Sequence, residues 1–190
     1  ECAPFLTFSW KTDDCASDWN NVETHLIGTY NIYNMLAAAT IGLSFGITVE
    51  QVCHALSNYI PSNNRSQLTI TEHNKLIVDT YNANPTSMMA ALHNFQDMKV
   101  APKMAILGDM RELGEVSDEE HQKVVDFLKQ SDIETIWLVG AEFAKTDSSF
   151  CKFANVEEVK KEIEENMPRE HYILIKGSNG VKLFLLPELL

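Results

Sequence analysis

Lys75-Leu76-Ile77-Val78-Asp79-Thr80-Tyr81-Asn82-Ala83-Asn84-Pro85 is the stretch whose reading decides the fold. Its first half is a short apolar run ending on Asp79, the pattern of a buried β-strand. Its second half opens a helix. Asn84 can accept hydrogen bonds from the unpaired N–H groups of a first helical turn, and Pro85 lacks the N–H that this turn leaves orphaned. Met88, Ala91, Leu92 and Phe95 then recur along one helical face. A strand running straight into a helix is half of a βαβ unit, and the chain beyond it repeats the alternation. Met104–Leu107, Ile136–Gly140 and Tyr172–Lys176 read as further strands. Between them come a helix opened by the capping box Ser117-x-x-Glu120, with Val124, Val125 and Leu128 facing inward, and a helix over Val156–Met167. Leu68–Thr71 and the Lys75 run form two β-segments around the turn Glu72-His73-Asn74.

Short apolar strands separated by helices imply an α/β domain. Its sheet is mostly parallel with right-handed crossovers, Rossmann-like in its flanking helices. The texture upstream is different. Phe5–Trp10 suggests a strand, and a polar loop follows through Asn21. Ile32, Met35, Leu36, Ala39 and Leu43 make one helical stripe that Gly46 ends. Thr48-x-x-Gln51 is a capping box for the next helix, whose apolar face is Val52, Ala55, Leu56 and Tyr59. Pro61-Ser62-Asn63-Asn64 breaks the pattern, so residues 1–62 and 63–190 are expected to be separate domains.

The 190 residues are 45% hydrophobic, enough for a sizeable core. A formal net charge of −12 argues against nucleic acid or an anionic membrane as partner, since both need clustered Lys and Arg. It leaves room for a phosphate ligand, which one Arg or a helix N-terminus binds locally. Cys2, Cys15, Cys53 and Cys151 are scattered, with no C-x-x-C pair and no His at metal-ligand spacing. Free thiols in a reducing cytoplasm are the expected state, with no metal site. No apolar run approaches the ~20 residues of a membrane span. The start at Glu1, without Met or a basic stretch before an apolar one, reads as a chain cut into mid-sequence.

In a parallel sheet, ligands gather at the carboxyl ends of the strands. The polar loops after the strands, Val78–Pro85, Leu107–Gly114 and Ile175–Gly180, should therefore line one edge and hold something polar. Asp79 there can accept hydrogen bonds from a sugar diol, and the following helix start offers N–H groups to an anion. The same residues also make a well-capped turn between strand and helix.

Five segments carry a resemblance. Asp79–Met88 (DTYNANPTSM) is very similar to the D-[ST]-YNANP-x-SM stretch of the Mur ligases, in the branch that adds D-alanyl-D-alanine. Gly108–Gly114 (GDMRELG), with His121 after it, matches a second signature of that branch. Lys176-Gly177-Ser178-Asn179-Gly180 resembles the KGS-x-G loop. Gly28–Asn34 resembles G-x-HN-x-x-N, although Tyr30 replaces the usual His. Asn64-Arg65-Ser66 resembles the arginine segment that opens the C-terminal domain. Five matches in order are far more specific than any one alone.

The resemblance implies the tail of a central ATP-binding domain followed by the C-terminal domain. The implied enzyme is a bacterial, cytoplasmic, monomeric ligase of cell-wall synthesis. It uses ATP and Mg2+ to activate the terminal carboxylate of UDP-MurNAc-tripeptide as an acyl phosphate, which the amine of D-Ala-D-Ala attacks. By position, Asn31 and Asn34 would meet the adenine, Asp79 the ribose, and Arg65 the phosphates, as the catalytic charge that arrives on domain closure. Tyr81 would pack beside the nucleotide or in the core. Asn82, Asn84, Asp109, Arg111 and Glu112 would shape the dipeptide pocket. The dipeptide is a zwitterion, so Arg111 suits its carboxylate and Asp109 or Glu112 its ammonium. Arg111 and Glu112 could equally pair with each other. Lys176 and Ser178 would touch substrate or order their loop, and His121 has a structural or a catalytic reading.

No G-x-x-x-x-GK-[ST] phosphate loop occurs in the sequence. The magnesium ligands of the family would lie upstream too, so the chain alone is expected to be inactive. The rivals are another amino-acid or folate-extending ligase of the superfamily, and a non-catalytic α/β binding module.

Overall fold

A computed structural model of the chain describes residues 4–13, 18–61 and 67–190. The chain divides into two compact units, Glu1–Pro61 and Ser62–Leu190. Arg65, the proposed phosphate-binding arginine, lies outside the described residues, as do Cys2 and Cys15.

In the first unit, β1 (Thr7–Trp10) pairs antiparallel with β2 (Asn20–Glu23). Two helices follow, α1 (Asn31–Ser44) and α2 (Val49–Asn58). Trp10, Val22, Met35, Ala39, Val52 and Leu56 form its core. The polar loop expected through Asn21 thus becomes a strand from Asn20 onward. Only Val22 of the four β2 residues is buried, so no run of apolar residues announces the strand. The Thr48 capping box forms as expected, with side chain and backbone bonded reciprocally to Gln51.

The second unit is built on a six-stranded sheet. Its strands are β3 (Gln67–Ile70), β4 (Lys75–Asp79), β5 (Lys103–Gly108), β6 (Thr135–Val139), β7 (Cys151–Phe153) and β8 (Tyr172–Lys176). Their order across the sheet is β3-β4-β8-β5-β6-β7. Only the β3–β4 pair is antiparallel, the other four being parallel. The expected α/β architecture with a mostly parallel sheet is the observed one. β5 is buried at all six positions, which is why central strands read as unbroken apolar runs.

The helices of this unit are α3 (Pro85–Asp97), α4 (Ser117–Leu128), α5 (Ala141–Ala144) and α6 (Val156–Glu165). Each long one buries a single face, for example Val156, Val159 and Ile163 of α6. Leu76, Met104, Ile106, Val139, Ile173 and Ile175 of the sheet meet that face in one cluster. Asn84 caps α3 as expected, accepting from the Ser87 N–H at 2.8 Å. The expected capping box at Ser117 does not form. A 3-10 turn over Gly114–Val116 runs directly into α4, so Ser117 already has helical backbone angles. Its hydroxyl turns instead to Glu142 Oε2 at 2.8 Å. No helix among the described residues is long and apolar enough to cross a membrane.

Candidate functional site

β4, β8 and β5 are consecutive neighbours and run parallel, so the loops after them leave the sheet at one edge. This brings Asp79, Asn82, Asn84, Asp109, Arg111, Glu112, Lys176 and Ser178 together, as the parallel-sheet rule requires. The middle loop, Gly177–Gly180, ties the other two. The Ser178 N–H donates to the Asp109 carbonyl at 3.1 Å. Its hydroxyl accepts the Arg111 N–H at 3.0 Å and reaches the Ala83 carbonyl at 3.4 Å. Gly177 lets two strand ends approach: a Cβ there would stand 2.9 Å from the Gly108 Cα.

Lys176, at the end of β8, is 1% exposed and donates to Asp79 Oδ2 of the first loop at 2.6 Å. A buried ammonium needs such a partner, since leaving it unpaired in the sheet interior costs several kcal/mol (about 3–5). Lys176 therefore orders the loop and holds Asp79, and it does not project toward solvent. Asn82 accepts the Ala83 N–H at 2.9 Å, and Asn84 is occupied as the cap of α3. Tyr81 is 55% exposed, which removes the reading of it as a core aromatic.

The second loop borders a cleft of about 770 Å³ lined by Asp109–Glu115, Ser117, Asp118, Glu142 and Lys145. The loop turns sharply because Glu112 and Gly114 hold φ of 64° and 56°. Asp109 is 8% exposed, and its two carboxylate oxygens accept the Glu142 and Phe143 N–H groups at 3.0 and 2.9 Å. It caps α5. That occupation makes it a poor acceptor for a ligand ammonium. Glu112 and Glu115 line the cleft as exposed carboxylates, and Asp118, also exposed, stands 3.4 Å from Lys145. Arg111 is exposed and makes no ion pair among the described residues, with Glu112 or any other side chain. Its guanidinium donates to the Gly180 carbonyl at 3.1 Å.

His121 is fully buried behind the loop. Its Nε2 is 3.0 Å from the Met110 N–H, which can only donate, so the ring proton sits on Nδ1 and is given to the Ser117 carbonyl at 2.8 Å. With Phe143 edge-on to it at 4.7 Å, the ring has no path to a ligand. The structural reading of His121 is the observed one. Lys145 and the Ser117 hydroxyl, both hydrogen-bonded to Glu142, hold its carboxyl below the usual carboxylate range.

Asn31 and Asn34 open α1 in the first unit. Asn31 is 8% exposed, donates to the Ile27 carbonyl at 2.9 Å and accepts from Asn34 at 3.0 Å. Its amide is thus largely committed within the helix start, while Asn34 is exposed. Sequence reasoning missed Ser117, Glu142 and Lys145 as cleft residues. They come from a helix start, from α5, a four-residue helix too short to leave a periodic signal, and from its C-cap.

The sequence from residue 64 to 179 matches the family described as "Mur ligase, glutamate ligase domain". The chain is 29% identical to the UDP-N-acetylmuramoyl-tripeptide–D-alanyl-D-alanine ligase of Treponema pallidum, over 89% of this chain and 39% of that protein. It is 31% identical to the enzyme of the same name from Bacillus subtilis, over 83% of this chain and 37% of that one. Its structure is similar to MurF from Acinetobacter baumannii, with a TM-score of 0.80 at 25% identity over 96% of this chain and 41% of that one. It also shares the fold of the MurF ligase from Thermotoga maritima solved in complex with ADP, with a TM-score of 0.77 at 18% identity, over 97% of this chain and 45% of that one. The chain therefore spans about two-fifths of the length of these relatives.

Proposed function

The chain belongs to the Mur ligase family, and from that premise we propose that it is the nucleotide-closing and dipeptide-binding part of an ATP-dependent amide ligase. The proposed reaction joins D-Ala-D-Ala to UDP-MurNAc-tripeptide in peptidoglycan synthesis, in the bacterial cytoplasm, by a monomeric enzyme. ATP phosphorylates the tripeptide's terminal carboxylate. The dipeptide amine attacks the resulting acyl phosphate, an amide bond forms, and phosphate leaves. The observation that carries this reading is the convergence of three loops at one sheet edge, beside an open cleft that offers exposed carboxylates and a guanidinium with no ion pair among the described residues. The names of the similar Treponema and Bacillus proteins supply the substrates.

In this reading Asp79 takes the ribose diol and Tyr81 lies beside the nucleotide. Asn31 and Asn34 meet the adenine, chiefly through Asn34, and Arg65 reaches the phosphates. Arg111 holds the dipeptide carboxylate. The ammonium goes to Glu112 and Glu115, while Asp109 and Ser178 shape the loop from behind. Asn82, Asn84 and Lys176 keep the nucleotide loop in place. Among the described residues no group of three or more His, Cys, Asp and Glu side chains could hold a metal ion. In this reading Mg2+ would be held by the nucleotide phosphates and by the ligands that the family resemblance implies upstream of this chain. Replacing Arg65 by Ala in the complete ligase is expected to lower turnover on the order of a hundredfold, the usual effect of removing a charge from a phosphoryl-transfer site. An unchanged rate would remove Arg65 from the mechanism.

A further inference from the structure

Gly180, the last glycine of the KGSNG loop, has no conformational reason to be glycine. It lies in the 3-10 turn Asn179–Val181. Gly28, Gly46, Gly114 and Gly140 hold positive φ, but Gly180 does not. Any L-residue could adopt its backbone. What it lacks is space, because a Cβ there would run into Nη1 and Cζ of Arg111. The guanidinium lies against the glycine and donates to its carbonyl at 3.1 Å, and the Arg111 backbone N–H is held by the Ser178 hydroxyl at 3.0 Å. The side chain and backbone of Arg111 are thus fastened to one loop. Its Nε–H and Nη1 donors make no hydrogen bond to protein among the described residues, and Arg111 lines the cleft.

We infer that Gly180 is a positioning residue whose bare Cα seats the Arg111 guanidinium, so that its remaining N–H donors meet a ligand carboxylate in the cleft. This rests on the proposed role of Arg111 in binding the dipeptide carboxylate. A planar fork recognises a carboxylate by direction as well as charge, so tilting it by the width of a methyl group costs the second hydrogen bond. The Cβ of Gly180→Ala would push only the flexible end of Arg111, and Ala suits a helical turn, so the fold is spared.

The test uses the complete ligase with ATP, UDP-MurNAc-tripeptide and either D-Ala-D-Ala or its C-terminal amide. The wild type is expected to prefer the acid in kcat/KM by tenfold or more, on the order of one charge-assisted hydrogen bond. Arg111→Gln should abolish the preference. Gly180→Ala, and Gly180→Ser made in parallel, should lose most of it, raise the KM for the acid about tenfold, and leave the KM for ATP within about twofold. In the Arg111→Gln background, Gly180→Ala should add nothing. If Arg111→Gln loses the preference while both Gly180 variants keep it, the inference is overturned and the role of Arg111 stands. If the wild type shows no preference, the Arg111 reading falls and the inference with it. If the Gly180 variants weaken ATP and both dipeptides alike, Gly180 is only structural and the inference is wrong.

Discussion

Asp109 and Arg111 stand two residues apart on one loop, and the fold uses them in opposite ways. Asp109 spends both carboxylate oxygens on the first N–H groups of α5, while Arg111, which lines the cleft, gives one side-chain hydrogen bond to protein among the described residues. Asp109→Ala would strand two N–H groups, and we expect it to destabilise the chain by about 2 kcal/mol in a denaturant melt. A loss of dipeptide affinity with unchanged stability would instead make Asp109 a ligand group. His121→Ala should cost about 3 kcal/mol, since it opens a cavity and orphans the buried Met110 N–H. The pH profile of ligation should keep its shape in that variant, because the imidazole has no route to substrate. At this scale the sequence showed which residues are chemically able to bind a ligand. It did not show which of them the fold had already occupied: Asp109, Lys176 and Asn84 look like ligand residues by type, yet serve as a cap or an internal ion pair.

Among the inner strands, legibility followed burial. The inner strands β4, β5, β6 and β8 are covered on both faces and so are written as apolar runs. β2, with one buried residue in four, and the three-residue edge strand β7 carry no such mark. Caps were legible where a non-helical residue precedes the helix, as at Thr48 and Asn84. At Ser117 a 3-10 turn extends the helix backward, and the local sequence pattern misleads. Asn84→Ala should lower stability by about 1 kcal/mol through the lost cap, and Asn84→Asp should restore it. If Asn84→Asp restores stability but leaves ligation impaired, Asn84 also touches substrate.

For the molecule as a whole, the parallel order of β4, β8 and β5 accounts for the site: three loops distant in sequence meet because their strands are neighbours. That convergence was legible from strand–helix alternation alone, whereas the strand order and the cleft beside α5 needed three dimensions. The chain also lacks a Walker-type phosphate loop, so calorimetry on these 190 residues should find no micromolar ATP binding. Micromolar affinity would mean that the nucleotide site is complete here. The central claim is tested most directly by mass spectrometry of products made by the complete ligase. The enzyme would be given ATP, Mg2+, UDP-MurNAc-tripeptide and a panel of amines: D-Ala-D-Ala, single D- and L-amino acids, and L-Glu with a folate acceptor. The account predicts one product, the tripeptide extended by the D-Ala-D-Ala dipeptide, formed with ADP and phosphate. Extension by a single amino acid, or of the folate, with none by the dipeptide, would contradict it.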